Sequence, residues 1–305
     1  MSAAISDSSR AGTQCVTIPV SDYDLAATLA SGQAFRWTQK GDSWHGVIGR
    51  RAVRLTPVTD GIRAETAAPV TDWGWLKEYL QTDVILQQIL ETFPDDEPMR
   101  MATRACRGLR LLRQDPWECL ASFILSSTKQ IVQIRQIVAS VCECYGEPIP
   151  GFEGETAFAF PTPERLAAES EPGLRACKMG FRAPYLLATA RIVASGKIQL
   201  NGLKSVPLET ARAELMSLPG VGRKIADCVL LFAYGFPTAF PVDVWILRAL
   251  RQLYFPRRRP RPSRLMRFSE TYFGPNAGYA QQYLFHYMRT VNSRGGAGAA
   301  RLNPA

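Results

Sequence analysis

Leu218-Pro219-Gly220-Val221-Gly222-Arg223-Lys224-Ile225-Ala226-Asp227 is the stretch around which the rest of the chain is organised. Pro219-Gly220 and Gly222 mark a turn suited to glycine-rich backbone. The apolar residues after it, Ile225, Ala226, Val229 and Leu230, recur at helical spacing, so a helix is expected to start at about Gly222. The stretch therefore reads as a helical hairpin whose second helix opens at a tight turn. Free backbone N–H groups and the positive end of the helix dipole then face one spot outside the chain, where a phosphate fits.

Lys224 sits in the first turn of that helix, where the dipole disfavours a cation, so its amine should give up a proton more readily, as a nucleophilic lysine must. Taken alone it reads as a solvated surface lysine, and only with Asp243 does the nucleophile reading gain ground. Nineteen residues later, Asp243 lies in Phe240-Pro241-Val242-Asp243-Val244-Trp245. It follows a break at Gly235-Phe236-Pro237 and precedes an apolar helical run of Val244, Leu247, Leu250 and Leu253, which makes it an N-cap. A hairpin of the form LPGVGxK followed by a helix-opening aspartate resembles the helix-hairpin-helix DNA glycosylases. That resemblance implies a catalytic role for the aspartate in addition to its cap.

Composition agrees with a globular DNA partner. The 305 residues are 46% apolar, enough for two or three domains, and 36 Lys and Arg against 27 Asp and Glu leave a net charge of +9. Such a surplus suits a polyanion, and an anionic membrane surface less well. There is no apolar run of membrane-spanning length and no hydrophobic signal core at the start, so an intracellular protein that works on DNA, without membrane contact, is expected. Seven cysteines without CxxC spacing argue against both disulfides and zinc, and none follows Cys228, which excludes a C-terminal four-cysteine iron–sulfur cluster. His45 and His286 stand in no metal-binding spacing.

Read in order, residues 1–12 are Ser/Ala/Gly-rich and expected to be disordered. From Val16 the pattern is β-like, with Ala34-Phe35-Arg36-Trp37, Trp44 to Ile48 and Ala52 to Leu55 as strands and turns at Lys40-Gly41-Asp42 and Thr59-Asp60-Gly61. Four or five antiparallel strands are expected, flanked by helices over Tyr23 to Ala30 and Val84 to Thr92. After Pro94 the chain turns helical. Asp115-Pro116 opens a helix, Ile131, Ile134, Ile137, Val138 and Val141 mark the buried face of a long one, Pro148 to Gly154 is a loop, and a further helix covers Pro184 to Ala194. Pro256 to Pro262 gathers four arginines in a proline-bounded loop that could meet phosphates.

Ser31-Gly32-Gln33-Ala34-Phe35-Arg36-Trp37 carries the resemblance further. Its chemistry alone gives a helix C-cap glycine leading into a strand, but it is similar to the SGQ-FRW signature of the 8-oxoguanine DNA glycosylases. Segments Pro116 to Ser127, Lys178 to Arg182, Leu218 to Asp227, Pro241 to Val244 and Gly274 to Phe285 resemble the same family in the same order. The fold implied is α+β: an N-terminal antiparallel TATA-binding-protein-like sheet domain (13–113), then an all-helical helix-hairpin-helix glycosylase domain (114–292), with 293–305 as a flexible tail. The partner implied is duplex DNA containing 8-oxoguanine, met by a monomer. No cofactor is required, with room for a structural monovalent cation at the hairpin.

The resemblance also implies roles. Lys224 attacks C1′ of the damaged nucleotide as Schiff-base nucleophile, and Asp243 stabilises the charge developing on the sugar. In the base pocket, the Gly32 carbonyl faces N7–H, Cys228 and Phe285 sandwich the base, and Gln281 reads its pairing edge. Without the family these three read as a small buried hydrophobe, a core aromatic and a solvated helix residue. Gly220 and Gly222 approach the DNA backbone. Several positions depart from the family pattern: Thr128-Lys129-Gln130 replaces an asparagine run, Gln133 stands for an arginine to the orphaned cytosine, Phe181 for a wedge tyrosine and Trp245 for a phosphate-binding histidine, while Arg182 is retained. The expected activity is bifunctional, base excision followed by β-lyase nicking. An alkylpurine glycosylase of the same superfamily, which commonly lacks the lysine, and a non-catalytic DNA-binding hairpin protein are the alternatives.

Overall fold

The computed structural model describes residues 13–127, 129–258 and 260–294. Residues 1–12, Thr128, Arg259 and 295–305 lie outside the described residues, and with them the expected disordered start, one of the four loop arginines and most of the expected tail. Five antiparallel strands form one sheet in the order β1-β5-β4-β3-β2: β1 (Gln14–Pro19), β2 (Thr38–Lys40), β3 (Ser43–Ile48), β4 (Arg51–Val58) and β5 (Gly61–Thr66). The two expected turns close hairpins with Lys40 opposite Ser43 and Val58 opposite Gly61. One face of the sheet buries Ile18, Val53, Leu55, Ile62 and Ala64 against Leu25 and Leu29 of helix Leu25–Ala30 and against Leu76 and Leu80 of helix Gly74–Leu80. That second helix carries no side-chain cap at Trp73, which is why no start signal announced it.

Ala34 to Trp37 do not form the expected strand, which begins only at Thr38. The segment instead crosses between two cores, with Ala34 and Trp37 in the sheet core and Phe35 in the helical one. The Trp37 indole N–H donates to the Tyr79 hydroxyl at 2.8 Å, and an alternating apolar pattern cannot distinguish this from a pleated strand.

The helical part is built on Pro116–Leu125, an almost wholly buried helix capped by Asp115, and on Ile131–Tyr145, whose inward residues are Ile134, Ile137, Val138, Val141 and Cys142. The expected loop after it contains a two-stranded ribbon, β6 (Pro148–Pro150) with β7 (Thr156–Phe158). Prolines fit there because each strand of a two-stranded ribbon has one edge unpaired. The Arg54 guanidinium lies over the Phe152 ring at 4.4 Å and 3.2 Å from Glu153, so the ribbon region is seated on the sheet.

Helices Ala183–Ala194, Leu208–Met216, Arg223–Val229, Val244–Ala249 and Pro262–Tyr272 follow, and Ala277–Arg294 is the last among the described residues. This helix extends to Arg294, two residues past the expected domain boundary at 292. Of the two hairpin glycines only one is demanded by the backbone. Gly220 has φ +75° and an added Cβ would stand 2.8 Å from the Tyr185 Cβ, whereas Gly222 has φ −90° and open space beside it. Gly222 is the N-cap of the hairpin helix, as its position predicts. Behind the turn, Asp227 accepts from Arg212 Nε at 2.7 Å in a buried ion pair; burial pushes its carboxyl upward and Arg212 opposes this.

Candidate active site

Lys224 lies one residue into the hairpin helix, half-buried, with Nζ 3.4 Å from Ser126 Oγ and 5.0 Å from the Phe123 ring centroid. The freely solvated lysine of the simplest reading is therefore not what forms. One helical turn on, and so on the same face, Cys228 is buried; desolvation raises its thiol to about 12, against the pull of Lys224, which leaves it neutral at physiological pH. Asp243 comes from the opposite wall. Its Oδ1 accepts from the Ile246 N–H at 2.9 Å as the N-cap of Val244–Ala249. Burial pushes its carboxyl above the ordinary aspartate value, opposed by that N–H, by the Lys224 charge, by the Trp245 N–H and by Arg289.

Lys224, Cys228 and Asp243 line one small cleft, closed by Gly32, Gln281 and Phe285. Gly32 has φ +80°, just past the helix Leu25–Ala30, and an added Cβ would stand 2.5 Å from Ile131 Cδ1. Its loop is held by buried amides. Gln33 Nε2 donates to the Thr28 and Arg110 carbonyls at 2.9 and 2.8 Å, its Oε1 accepts from Leu112 N at 2.8 Å, and Gln114 Nε2 donates to the Gln33 carbonyl at 2.7 Å. Gln282 Nε2 reaches the Ser31 carbonyl at 3.1 Å from helix Ala277–Arg294. Gln281 is only 3% exposed, so it is not a solvated helix residue, and its Oε1 has no hydrogen-bond partner among the described residues. An orphaned buried acceptor lining a cleft is a group awaiting a ligand's donor.

The cleft opens into a wider groove lined by Lys129, Val132, Trp245 and Arg289, together with Gly32, Lys224 and Asp243. Gln133 is not among these residues. It is exposed, and its Oε1 accepts from the Gln130 N–H at 3.1 Å at the start of its own helix. Phe181 projects with 55% of its surface exposed, while Arg182 is 2% exposed, with its guanidinium carbon 4.2 Å from the Phe181 ring centroid. Thr128 lies outside the described residues. Sequence reasoning missed Phe123, Phe232, Gln282 and Arg289. The signal for Gln282 was a polar pair, Gln281-Gln282, inside an apolar helix; Phe123 and Phe232, stacked at 5.7 Å, look like ordinary core.

Two family models span this architecture: the 8-oxoguanine DNA glycosylase N-terminal domain matches residues 15–120, and the HhH-GPD superfamily base excision DNA repair protein matches 121–275. The chain belongs to the 8-oxoguanine DNA glycosylase family of that superfamily. It is 30% identical to a probable N-glycosylase/DNA lyase of Methanothermobacter thermautotrophicus, covering 89% of this chain and 95% of the relative. Among solved structures it is similar to MBOgg1 in complex with a low affinity DNA ligand, at 34% identity and TM-score 0.87 over 93% of this chain and 98% of that one. It is also similar to the Clostridium acetobutylicum 8-oxoguanine glycosylase/lyase bound to dsDNA with cytosine opposite 8-oxoG, at 28% identity and TM-score 0.84 over 91% and 98%. The α+β fold expected of the family, a five-stranded antiparallel sheet followed by a helical domain, is the one observed. Among the described residues no helix is long and apolar enough to cross a membrane, and no group of three or more His, Cys, Asp or Glu could hold a metal ion.

Proposed function

We propose that this chain excises 8-oxoguanine from duplex DNA and nicks the strand at the resulting site. The observation that carries the reading is the convergence of Lys224 and Asp243 on one cleft together with Gly32, Gln281 and Phe285. C1′ and the base edges are inaccessible in a stacked duplex, so the damaged nucleotide must be everted into this cleft. Lys224, as the free amine, attacks C1′ as the N-glycosidic bond breaks; the bonding pair leaves with the base, which takes up a proton. The amine then becomes a Schiff base with the opened sugar, and loss of a proton from C2′ expels the 3′ phosphate by β-elimination. Asp243 opposes the positive charge that develops on the sugar, and its burial strengthens that attraction by excluding water.

The same cleft supplies discrimination. The Gly32 carbonyl accepts from N7–H, which 8-oxoguanine has and guanine lacks, so guanine would set acceptor against acceptor. Cys228 and Phe285 hold the two faces of the base, and the unpartnered Gln281 Oε1 takes a donor from its pairing edge. Gly220, Gly222, Lys129 and Trp245 carry backbone contacts, and Phe181 fills the gap left by the everted nucleotide. Gln133 and Arg182 face the opposite strand. The division of labour runs along the chain, with 13–113 as a supporting sheet domain that contributes Gly32 and 114–292 as the catalytic domain. One copy supplies the whole cleft, and the enzyme works on DNA inside the cell.

No step needs a resident cofactor. A monovalent cation at the hairpin would use turn carbonyls, of which those of Leu218 and Pro219 already accept from the Val221 N–H and the Thr189 hydroxyl. The test is borohydride trapping on a duplex containing 8-oxoguanine. The wild-type chain forms a covalent complex, whereas Lys224→Gln forms none, releases no base and still binds the lesion duplex. Base release by Lys224→Gln at the wild-type rate would sink the Schiff-base assignment.

A further inference from the structure

The wider groove carries a cationic element that the excision chemistry leaves unused. Arg289 stands one turn beyond Phe285 on helix Ala277–Arg294 and lines the groove with Trp245 and Lys129. Its guanidinium carbon is 5.4 Å from the Phe285 ring centroid, and one terminal nitrogen lies 3.5 Å from where a Gly32 Cβ would stand. Arg135 stands one turn after Ile131, the residue whose side chain fills the space beside Gly32. Both arginines are partly buried, and the Arg135 Nε, itself buried, has no hydrogen-bond partner among the described residues. Burial and then the Arg135 charge work against the Arg289 proton, and Asp243 favours it. The two guanidinium charges act on one another at partial burial, so a phosphate brought into the groove is attracted by both.

We propose that Arg289, backed by Arg135, binds a backbone phosphate flanking the everted nucleotide. This rests on the glycosylase reading above. Arg289 lines the groove and not the base cleft, Gln281 and Cys228 line the cleft and not the groove, and Phe285 stands between them, so the ligand within reach of Arg289 is the strand entering the mouth. A guanidinium seated beside an aromatic ring presents a fixed fork, the geometry suited to two oxygens of one phosphate. The phosphate arrives only when the nucleotide turns out of the helix. Arg289 therefore rewards eversion rather than DNA contact in general.

The experiment compares two duplexes, one undamaged and one carrying a tetrahydrofuran abasic analogue, which is bound but not cleaved. Affinity is measured against salt concentration for the wild-type chain and for Arg289→Gln, Arg289→Lys and Arg135→Gln, each checked for folding by its melting transition. On the abasic duplex, Arg289→Gln should lower the slope of log affinity against log salt by about one and weaken binding by roughly tenfold, the signature of one lost phosphate contact. The undamaged duplex should show no change in slope, and Arg289→Lys should keep the wild-type slope on both. Arg135→Gln should give a smaller loss on the abasic duplex alone. An unchanged slope on the abasic duplex, or an equal fall on both, would overturn the proposal. So would a loss confined to the ratio of 8-oxoguanine to guanine excision, which would place Arg289 on the base. Borohydride trapping by the wild-type chain tests the glycosylase reading separately, so either can fail alone.

Discussion

The floor of the cleft and the set Gln133, Phe181 and Arg182, proposed above to meet the opposite strand, are built to different standards. At the floor, Gly32, Lys224, Cys228, Asp243, Gln281 and Phe285 come from four separate parts of the chain and converge on one cleft. Their positions are over-determined: a buried amide network holds the Gly32 loop, a helix N-cap holds Asp243, and a buried ion pair braces the hairpin helix. In the second set, Gln133 spends its acceptor on its own helix, Phe181 projects into solvent and Arg182 lies beneath it. Where packing fixes a residue, a sequence pattern transfers to a geometry; where the residue is exposed, it need not.

The largest expected effect would break the floor. Asp243→Asn keeps an oxygen to accept from Ile246 but removes the charge, so excision should fall by at least about a hundredfold while the cap survives. The folded carboxyl holds its proton more tightly than the unfolded chain does. Its contribution to stability is therefore present at low pH and lost as pH rises through the shifted value, so at neutral pH the asparagine variant should melt no lower than wild type. The wild-type excision profile should also lose activity on acidification above the ordinary aspartate value of about 3.9, with no such limb in the variant. A sharp drop in melting with an unchanged rate in the folded fraction would reduce Asp243 to a cap.

A smaller effect is expected at Gly32. Alanine there forces a side chain into left-handed backbone and into Ile131, whose flexible tip can yield while the backbone strain cannot. Excision of 8-oxoguanine should fall by roughly tenfold, with about 1–2 kcal/mol lost in stability on chemical denaturation. Wild-type stability together with a wild-type preference over guanine would show that the loop tolerates a displaced carbonyl.

The smallest effect sharpens the other half of the comparison. Gln133 offers only one short neutral amide, its oxygen held by the Gln130 N–H, and Arg182 is buried, so few donors face the base opposite the lesion. Single-turnover excision opposite cytosine, thymine, guanine and adenine should differ by no more than about 1–3 kcal/mol, the range of one good base contact. Gln133→Arg should raise the cytosine preference, at the cost of the hydrogen bond to Gln130. A wild-type cytosine advantage above about a thousandfold would exceed that range and place further donors, Lys129 foremost, on the estranged base.

Much of this was legible in the sequence because the decisive signals were local. The Pro-Gly turn, the Asp243 cap and the two hairpin turns each depend on residues within one turn of themselves. What escaped was decided by distant partners. Ala34 to Trp37 alternate like a strand, but Tyr79 and two separate cores claim their side chains. Gly222 resembles Gly220 in sequence, yet only Gly220 meets Tyr185 and needs its positive φ. Arg289 carried no signal at all, since a helical arginine becomes remarkable only once Gly32, some 250 positions earlier, is folded against it.

The amides of Gln33, Gln114 and Gln282 knot the beginning, middle and end of the chain around a single loop. Contacts of such long sequence separation form only after the intervening chain has collapsed, since loop closure must come first. A nascent or truncated chain can therefore hold the hairpin and its lysine while lacking the surface that tells a damaged base from a sound one, and it also lacks the cleft that would bring any base to that lysine. Lys224 thus acquires its cleft only where the helix that carries Gln281 and Phe285 has docked against the Gly32 loop.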